Sequence, residues 1–364
     1  METFTHMHGG DLDAIERVYG VPKSEISDFS GNINPLGFPK SAAEKLARNI
    51  SMVCNYPDKN YMALRNSIGL YTGANPQNIV VGNGSTELIS TFIKSVSAKK
   101  SIIMGPAYSE YENAVKLAGS DFEYFELRES ENFIPNIERL ISVLDRSVGL
   151  FIACNPNNPT GTAITASEMR KILTHCKNNG ISVMIDETYI EFSNNLDVIC
   201  SIPLVEEFDN LFVIRGISKF FAAPGLRLGY GITSSQKFHN LLSENQDPWS
   251  VNILASYAGE IIFSDKEFID KTKQLISSER KKAYDELKSW KNVKVYKSSS
   301  NFLLVRLLTD KITAAEIFDH MVRKKMVIRD AASFTFLNEE YIRFCILTPE
   351  ENSRLLSELK SIIE

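Results

Sequence analysis

The chain has 364 residues, 43% of them hydrophobic and 23% charged, with a net charge of −5. That is ordinary globular composition, and the length suits one large and one small domain. No apolar run reaches the roughly 18 residues of a membrane span, and no long basic block is present, which argues against nucleic acid and anionic membranes as partners.

The segment Met1–Gly10 lacks the apolar core of a signal peptide. The five cysteines, Cys54, Cys154, Cys176, Cys200 and Cys345, show no CxxC spacing. They read as reduced thiols of a cytoplasmic protein. His6 and His8 have no obvious third ligand, so no metal site is expected.

Along the chain, the first 48 residues hold an irregular loop, Gly31-Asn32-Ile33-Asn34-Pro35-Leu36-Gly37. From Asn78 onward, short apolar strands alternate with helical patterns. Strands are predicted at Asn78–Val81, Ser101–Met104, Phe122–Phe125, Val148–Ala153, Ile181–Ile185, Leu211–Ile214 and Leu228–Ile232. The intervening helices run from the Gly-Asn-Gly-Ser turn to Ile93, over Tyr108–Leu117 and Ile134–Leu144, and over Thr165–Asn178 with Gly180 as its stop. This alternation predicts an α/β fold with a mostly parallel sheet covered on both faces.

After about Trp249 a long helical stretch runs to roughly Lys288. Strands Val293–Tyr296 and Asn301–Arg306, a helix Ala314–Lys324, strands Val327–Arg329 and Tyr341–Ile346, and a helix from Glu350 follow. That is a smaller α+β unit. The predicted division is a large domain over residues 49–248 and a small one from residues 1–48 with 249–364.

Several strand ends carry chemistry, where open α/β sheets bind ligands. Lys219 lies in Ile217-Ser218-Lys219-Phe220-Phe221-Ala222-Ala223-Pro224-Gly225-Leu226-Arg227-Leu228-Gly229-Tyr230. Its apolar neighbours offer the desolvation that a Schiff-base lysine needs, and Ser218 and Arg227 are donors suited to a phosphate. A surface lysine is the plain alternative. Val81-Gly82-Asn83-Gly84-Ser85-Thr86-Glu87 turns from a strand into a helix whose N-terminus can take an anion. It reads equally as an N-capped helix start, and no lysine follows as a Walker A loop requires.

Asp186 in Ile185-Asp186-Glu187-Thr188-Tyr189 is a carboxylate at a buried strand end and needs a partner. A protonated pyridine nitrogen is one, with Tyr189 within reach of a ring oxygen; a capping aspartate beside a packed tyrosine is the other reading. Asn155-Pro156-Asn157-Asn158-Pro159-Thr160-Gly161 is a rigid turn that offers Asn158 to a ring oxygen and a substrate carboxylate. Tyr108, in Gly105-Pro106-Ala107-Tyr108, is either a ring-stacking platform or a core aromatic.

Together these segments, with Tyr341-Ile342-Arg343-Phe344, resemble the fold-type I pyridoxal-phosphate enzymes, the aspartate aminotransferase superfamily. The likeness spans essentially the whole chain. It implies a seven-stranded sheet, pyridoxal 5'-phosphate as cofactor, and Lys219 as its Schiff-base lysine. Asp186 matches the partner of the pyridine nitrogen, and Tyr189 and Asn158 the ring-oxygen ligands. Gly84, Ser85, Thr86, Ser218 and Arg227 match the phosphate cradle. Arg343 matches the arginine that clamps a substrate carboxylate or phosphate. Tyr56, in Asn55-Tyr56-Pro57-Asp58, matches a tyrosine that reaches the cofactor phosphate of the other subunit, which implies a homodimer with shared active sites.

Within this superfamily the chain resembles the histidinol-phosphate aminotransferase subgroup, and among its members the threonine-phosphate decarboxylases of cobalamin biosynthesis. His8-Gly9-Gly10, the Asp28–Gly37 segment and Gln246-Asp247-Pro248-Trp249-Ser250-Val251-Asn252 carry that finer likeness. The resemblance implies decarboxylation of L-threonine O-3-phosphate, with histidinol-phosphate transamination as the alternative. A regulator of the same fold is a remote third reading.

Arg343 and Arg329 are the candidate substrate anchors, though Arg329 reads equally as a salt-bridged surface residue. His8, Asn32 and Asn34 are offered as a phosphate pocket from the N-terminal loop, against a purely structural loop. Two departures stand out. Gly31 replaces a more usual alanine, which is expected to widen the loop slightly. Gly216 lacks a hydroxyl found in many relatives, leaving the cofactor phosphate one donor fewer.

Overall fold

A computed structural model describes residues 10–364. The strands in chain order are β1 (Ser27–Asp28), β2 (Ile79–Gly82), β3 (Lys100–Gly105), β4 (Asp121–Glu126), β5 (Leu150–Cys154), β6 (Ser182–Asp186) and β7 (Leu211–Gly216). They continue as β8 (Gly229–Ile232), β9 (Val293–Val295), β10 (Phe302–Leu307), β11 (Met326–Val327), β12 (Arg329–Asp330) and β13 (Tyr341–Cys345). Strands β2 to β8 form one seven-stranded sheet in the order β2-β8-β7-β6-β5-β3-β4.

Its pairings are parallel from β4 through β7, while β8 runs antiparallel to both neighbours. Every residue of β5 and β7 is buried. Two-sided burial is why these strands read as continuous apolar runs rather than alternating ones. The parallel strands also place their carboxyl ends on one edge, and Cys154, Asp186 and Ile214 lie in register there.

The helix Ala166–Asn179 shows how local sequence sets the connections. Thr165 and Glu168 form a capping box at its start, and Gly180, at φ 75°, closes it with its N–H on the Cys176 carbonyl. Between β5 and β6 this helix completes a parallel crossover, as the sequence pattern predicts.

The second sheet is antiparallel, in the order β12-β13-β10-β9, and β1 pairs in parallel with β11. Here the structure departs from the sequence reading in several places. The predicted strand Val327–Arg329 is divided between β11 and β12, which pair with different partners. The long helical stretch is two helices, Ile253–Ile262 and Lys266–Lys288, because the Asp265 side chain caps a new start by accepting from the Phe268 N–H. The helix expected from Ile134 begins at Ile137, after left-handed Asn132 and Phe133. The segment before the large sheet also holds helices the periodicity did not indicate, at Leu12–Tyr19, Lys40–Arg48 and Met62–Thr72. No helix of the described residues is long and apolar enough to cross a membrane.

Candidate active site

A cavity of about 480 Å³ opens at the carboxyl edge of the large sheet, where the small sheet and the Asp28–Asn34 loop meet it. Ser85, Thr86, Tyr108, Asn158, Asp186, Tyr189, Ser218, Lys219, Arg227, Arg329, Arg343 and Asn32 all line it. Among the described residues Asp186 is the single carboxylate of the lining, against four cationic side chains, Lys219, Arg227, Arg329 and Arg343. So one-sided a charge balance suits anionic ligands.

Asp186 ends β6 and is 5% exposed. One carboxylate oxygen accepts from the Thr188 N–H at 2.9 Å and the Thr188 hydroxyl at 2.5 Å, and the other from the Tyr111 hydroxyl at 2.6 Å. Burial pushes its pKa up, while the Thr188 and Tyr111 hydrogen bonds and the charge of Lys219 pull it back. Tyr111 and Thr188 went unnoticed in the sequence. Tyr111 is 1% exposed and packs edge-on against Tyr108, with ring centroids 5.7 Å apart. Its signal was its place three residues after Tyr108, one helical turn along the same face.

Lys219 follows β7 and donates from Nζ to the Gly31 carbonyl at 2.7 Å. Burial first, and the charge of Arg343 second, hold its amine down to about 8. A substantial fraction is therefore neutral near physiological pH, as a carbonyl-capturing amine requires.

The anion cradle lies across the cavity. Gly84 precedes the helix Ser85–Val96 without a side-chain cap, so the first N–H groups of that helix lack a side-chain acceptor among the described residues. Gly84 has φ 82°, and a Cβ there would meet Arg227 Nη2 at 2.3 Å. A Cβ at Gly229 would meet the Ser85 nitrogen at 2.4 Å. These two glycines let Arg227 and β8 close on the helix start. Gln246 braces the same corner, donating to the Val81 carbonyl at 2.7 Å and to Glu87 at 3.2 Å.

Arg343, on β13, is 4% exposed. It donates to Asn158 Oδ1 at 2.5 Å and to the Ser30 carbonyl at 2.6 Å, and its Nε has no partner among the described residues. The Asn158 amide nitrogen thus remains a donor toward the cavity. Asn32 Nδ2 donates to the Tyr189 hydroxyl at 3.4 Å, and burial raises the pKa of that phenol. Arg329 is not the salt-bridged surface residue of the alternative reading. It lines the cavity, donates to Ser333 Oγ at 2.7 Å, and makes no ion pair among the described residues.

Two expected residues stand apart from the cavity. The Asn34 amide is engaged by the Phe220 carbonyl at 2.7 Å and Thr272 Oγ1 at 2.8 Å, and the residue does not line the cavity. Asn34 therefore ties the loop to the lysine segment rather than offering itself to a substrate. Tyr56 is 80% exposed and rests against Trp249, off the pocket of its own chain. His8 lies outside the described residues. The expectation for Gly31 also needs correcting. The space a Cβ would take is filled by Asp28, whose Oδ2 lies 2.7 Å from that position, so the loop is tight rather than widened. Asp28 Oδ1 accepts from the Ser30 N–H at 2.8 Å and the Ser30 hydroxyl at 2.6 Å.

The profile of the family "Aminotransferase class I and II" matches residues 24–359. The chain belongs to that family. It is 30% identical over 363 residues to the threonine-phosphate decarboxylase of Salmonella typhimurium, covering 100% of this chain and 98% of that protein. It is also 30% identical over 363 residues to the histidinol-phosphate aminotransferase of Methanosphaera stadtmanae, covering 99% and 96%. The crystal structure of the histidinol-phosphate aminotransferase from Clostridium acetobutylicum superposes with a TM-score of 0.86 at 32% identity, over 92% of this chain and 98% of that one.

The protein is a pyridoxal-phosphate-dependent enzyme. The residues present fit the cofactor. An uncapped helix start and Arg227 form a cradle that any Cβ at Gly84 would fill. Opposite it, a buried carboxylate and a partly neutral amine stand ready for the ring.

Proposed function

We propose that the protein decarboxylates L-threonine O-3-phosphate to (R)-1-amino-2-propanol O-phosphate, in cobalamin biosynthesis. The observation that carries this reading is the pair Arg329 and Arg343. Beyond Arg227 at the cradle, these two cations line the cavity with no carboxylate paired to either among the described residues. A substrate with both a carboxylate and a phosphate supplies two anionic groups for them; histidinol phosphate supplies only one. The likeness to the Salmonella decarboxylase adds support.

Pyridoxal phosphate, when bound, supplies an electron-poor ring that takes up the electron pair of the broken Cα bond. The chain's own residues set the rest. Asp186 keeps the ring nitrogen protonated. Asn158 and Tyr189 serve the ring oxygen, Ser85, Thr86, Ser218 and Arg227 hold the phosphate, and Tyr108 flanks the ring. Arg343, anchored between Asn158 and the Ser30 carbonyl, orients the substrate carboxylate, which leaves as carbon dioxide. Lys219 is the group placed to deliver a proton to Cα. The Asp28–Asn34 loop covers the cavity and limits water.

We also propose a homodimer in which Tyr56 serves the partner's site. Its exposure on its own chain, beside exposed Ile50 and Val53, supports this. Histidinol-phosphate transamination remains the second reading, favoured by the similarity to the Clostridium structure.

Purified holoenzyme distinguishes them. Carbon dioxide release from L-threonine phosphate with no 2-oxoacid present is the expected result. Glutamate formation from histidinol phosphate and 2-oxoglutarate, with no carbon dioxide from threonine phosphate, would overturn the assignment.

A further inference from the structure

Arg329 and Arg343 are direct cross-strand partners in the β12–β13 pair. Like charges placed opposite each other on neighbouring strands destabilise a sheet, and here neither has an acid to neutralise it among the described residues. What stands beside them instead is an aromatic ring. Phe334 lies with its centroid 5.4 Å from the Arg329 guanidinium carbon and 5.9 Å from that of Arg343. Its face offers each cation a partial negative potential without neutralising either.

Phe334 comes from the turn after β12. Its N–H donates to the Ala331 carbonyl at 3.0 Å, and its carbonyl accepts from Leu337 at 3.0 Å. The neighbouring Ser333 accepts from Arg329 at 2.7 Å. One short turn therefore supplies both the hydroxyl and the ring that position Arg329.

We infer that Phe334 is a specificity-determining residue. By holding Arg329 in place beside Arg343, it leaves Arg329 to take a phosphate monoester of the substrate, separate from the cradle of the cofactor phosphate and from the carboxylate that Arg343 orients. The inference rests on the reading that the substrate carries a phosphate, and it holds for either proposed reaction. An acid at 334 would fill the subsite from within. An aliphatic residue would fill the space but leave Arg329 without a ring face, while Arg343 keeps Phe302 at 5.3 Å, so Arg329 would turn toward solvent or toward Asp330.

The test uses holoenzyme, in which the cofactor occupies its own cradle, and inorganic phosphate as the competitive probe. Phe334→Leu is expected to raise the inhibition constant of phosphate, and the KM for the phosphorylated substrate, by about tenfold. The kcat should stay within about twofold, and Phe334→Tyr should restore both constants. A split of this kind is not expected from a general loss of packing, and melting temperature reports any loss of fold separately. Unchanged phosphate inhibition in Phe334→Leu, or a fall in kcat with KM unaltered, overturns the inference. If the wild-type protein releases no carbon dioxide from threonine phosphate but transaminates histidinol phosphate, the proposed function fails. The phosphate inhibition constants still decide the role of Phe334.

Discussion

The Tyr111 hydroxyl donates to Asp186 Oδ2 at 2.6 Å, and the ring of the same tyrosine packs edge-on against Tyr108. One fully buried side chain thus steadies both the carboxylate proposed to meet the cofactor ring and the aromatic proposed to flank it. Removing the hydroxyl in Tyr111→Phe leaves a buried carboxylate with one donor fewer, and its pKa, already raised by burial, rises further. A hydrogen bond to a charged group contributes about 1.5–3 kcal/mol. Cofactor affinity, measured by equilibrium titration of the apoprotein, is expected to weaken by about tenfold or more, with the circular dichroism spectrum unchanged.

Two glycines of the phosphate region should respond in opposite directions. A Cβ at Gly216 would lie 3.5 Å from the Leu228 carbonyl and 3.7 Å from Ser85 Oγ, ordinary contact distances. Gly216→Ser therefore fits and adds a hydroxyl near the cradle. Cofactor retention on dialysis should improve, by up to about tenfold for one added hydrogen bond of about 1 kcal/mol. Gly84→Ala combines a left-handed φ of 82° with a clash at Arg227. It should lose the cofactor, read as a loss of visible absorbance after dialysis.

The Lys219 amine, held down to about 8, gives its proposed capture of the cofactor a defined pH profile. Only the neutral amine attacks a carbonyl. The rate at which apoprotein takes up pyridoxal phosphate should rise about tenfold per pH unit below 8 and level off above it. Arg343 contributes to the depression by its positive charge. Arg343→Met should move the inflection to higher pH. Stopped-flow absorbance across pH 6 to 10 checks both statements.

Away from the cavity, Glu191 is 1% exposed and accepts from the Tyr71 hydroxyl at 2.8 Å, while its Oε2 has no partner among the described residues. Burial pushes it up to about 7, against the pull of Arg215 and Tyr71. The folded state thus holds this proton more tightly than the unfolded chain. The stabilisation is complete below the unfolded pKa of about 4.3 and lost as pH rises through about 7. Glu191→Gln removes that dependence. The melting temperature of the variant relative to wild type should climb between pH 5.5 and 8, and calorimetry at both ends measures it.

Much of the α/β sheet was legible because its strands are buried on both faces and its helices carry local stop and start signals. Thr165, Glu168 and Gly180 bound a helix by hydrogen bonds within a few residues. The division of the 249–288 stretch was missed because Asp265 reads as one more polar residue until its side chain is seen on the Phe268 N–H. The N-terminal loop was read as one chemical unit. Its alternating roles, Asn32 toward Tyr189 and Asn34 toward Phe220 and Thr272, depend on segments 157 to 238 residues away.

The sequence by itself determined the parts whose chemistry is local: a lysine in an apolar turn, an aspartate at a strand end, glycines before a helix. Each is set by backbone conformation and nearest neighbours, which a short stretch of residues encodes. Only the tertiary structure decided how those parts are aimed. The register of β12 on β13 put Arg329 opposite Arg343, the turn after β12 set Phe334 beside both, and the helix Ser109–Leu117 brought Tyr111 to Asp186. Those contacts join residues far apart in the chain, and strand register and packing, which no local pattern encodes, bring them together.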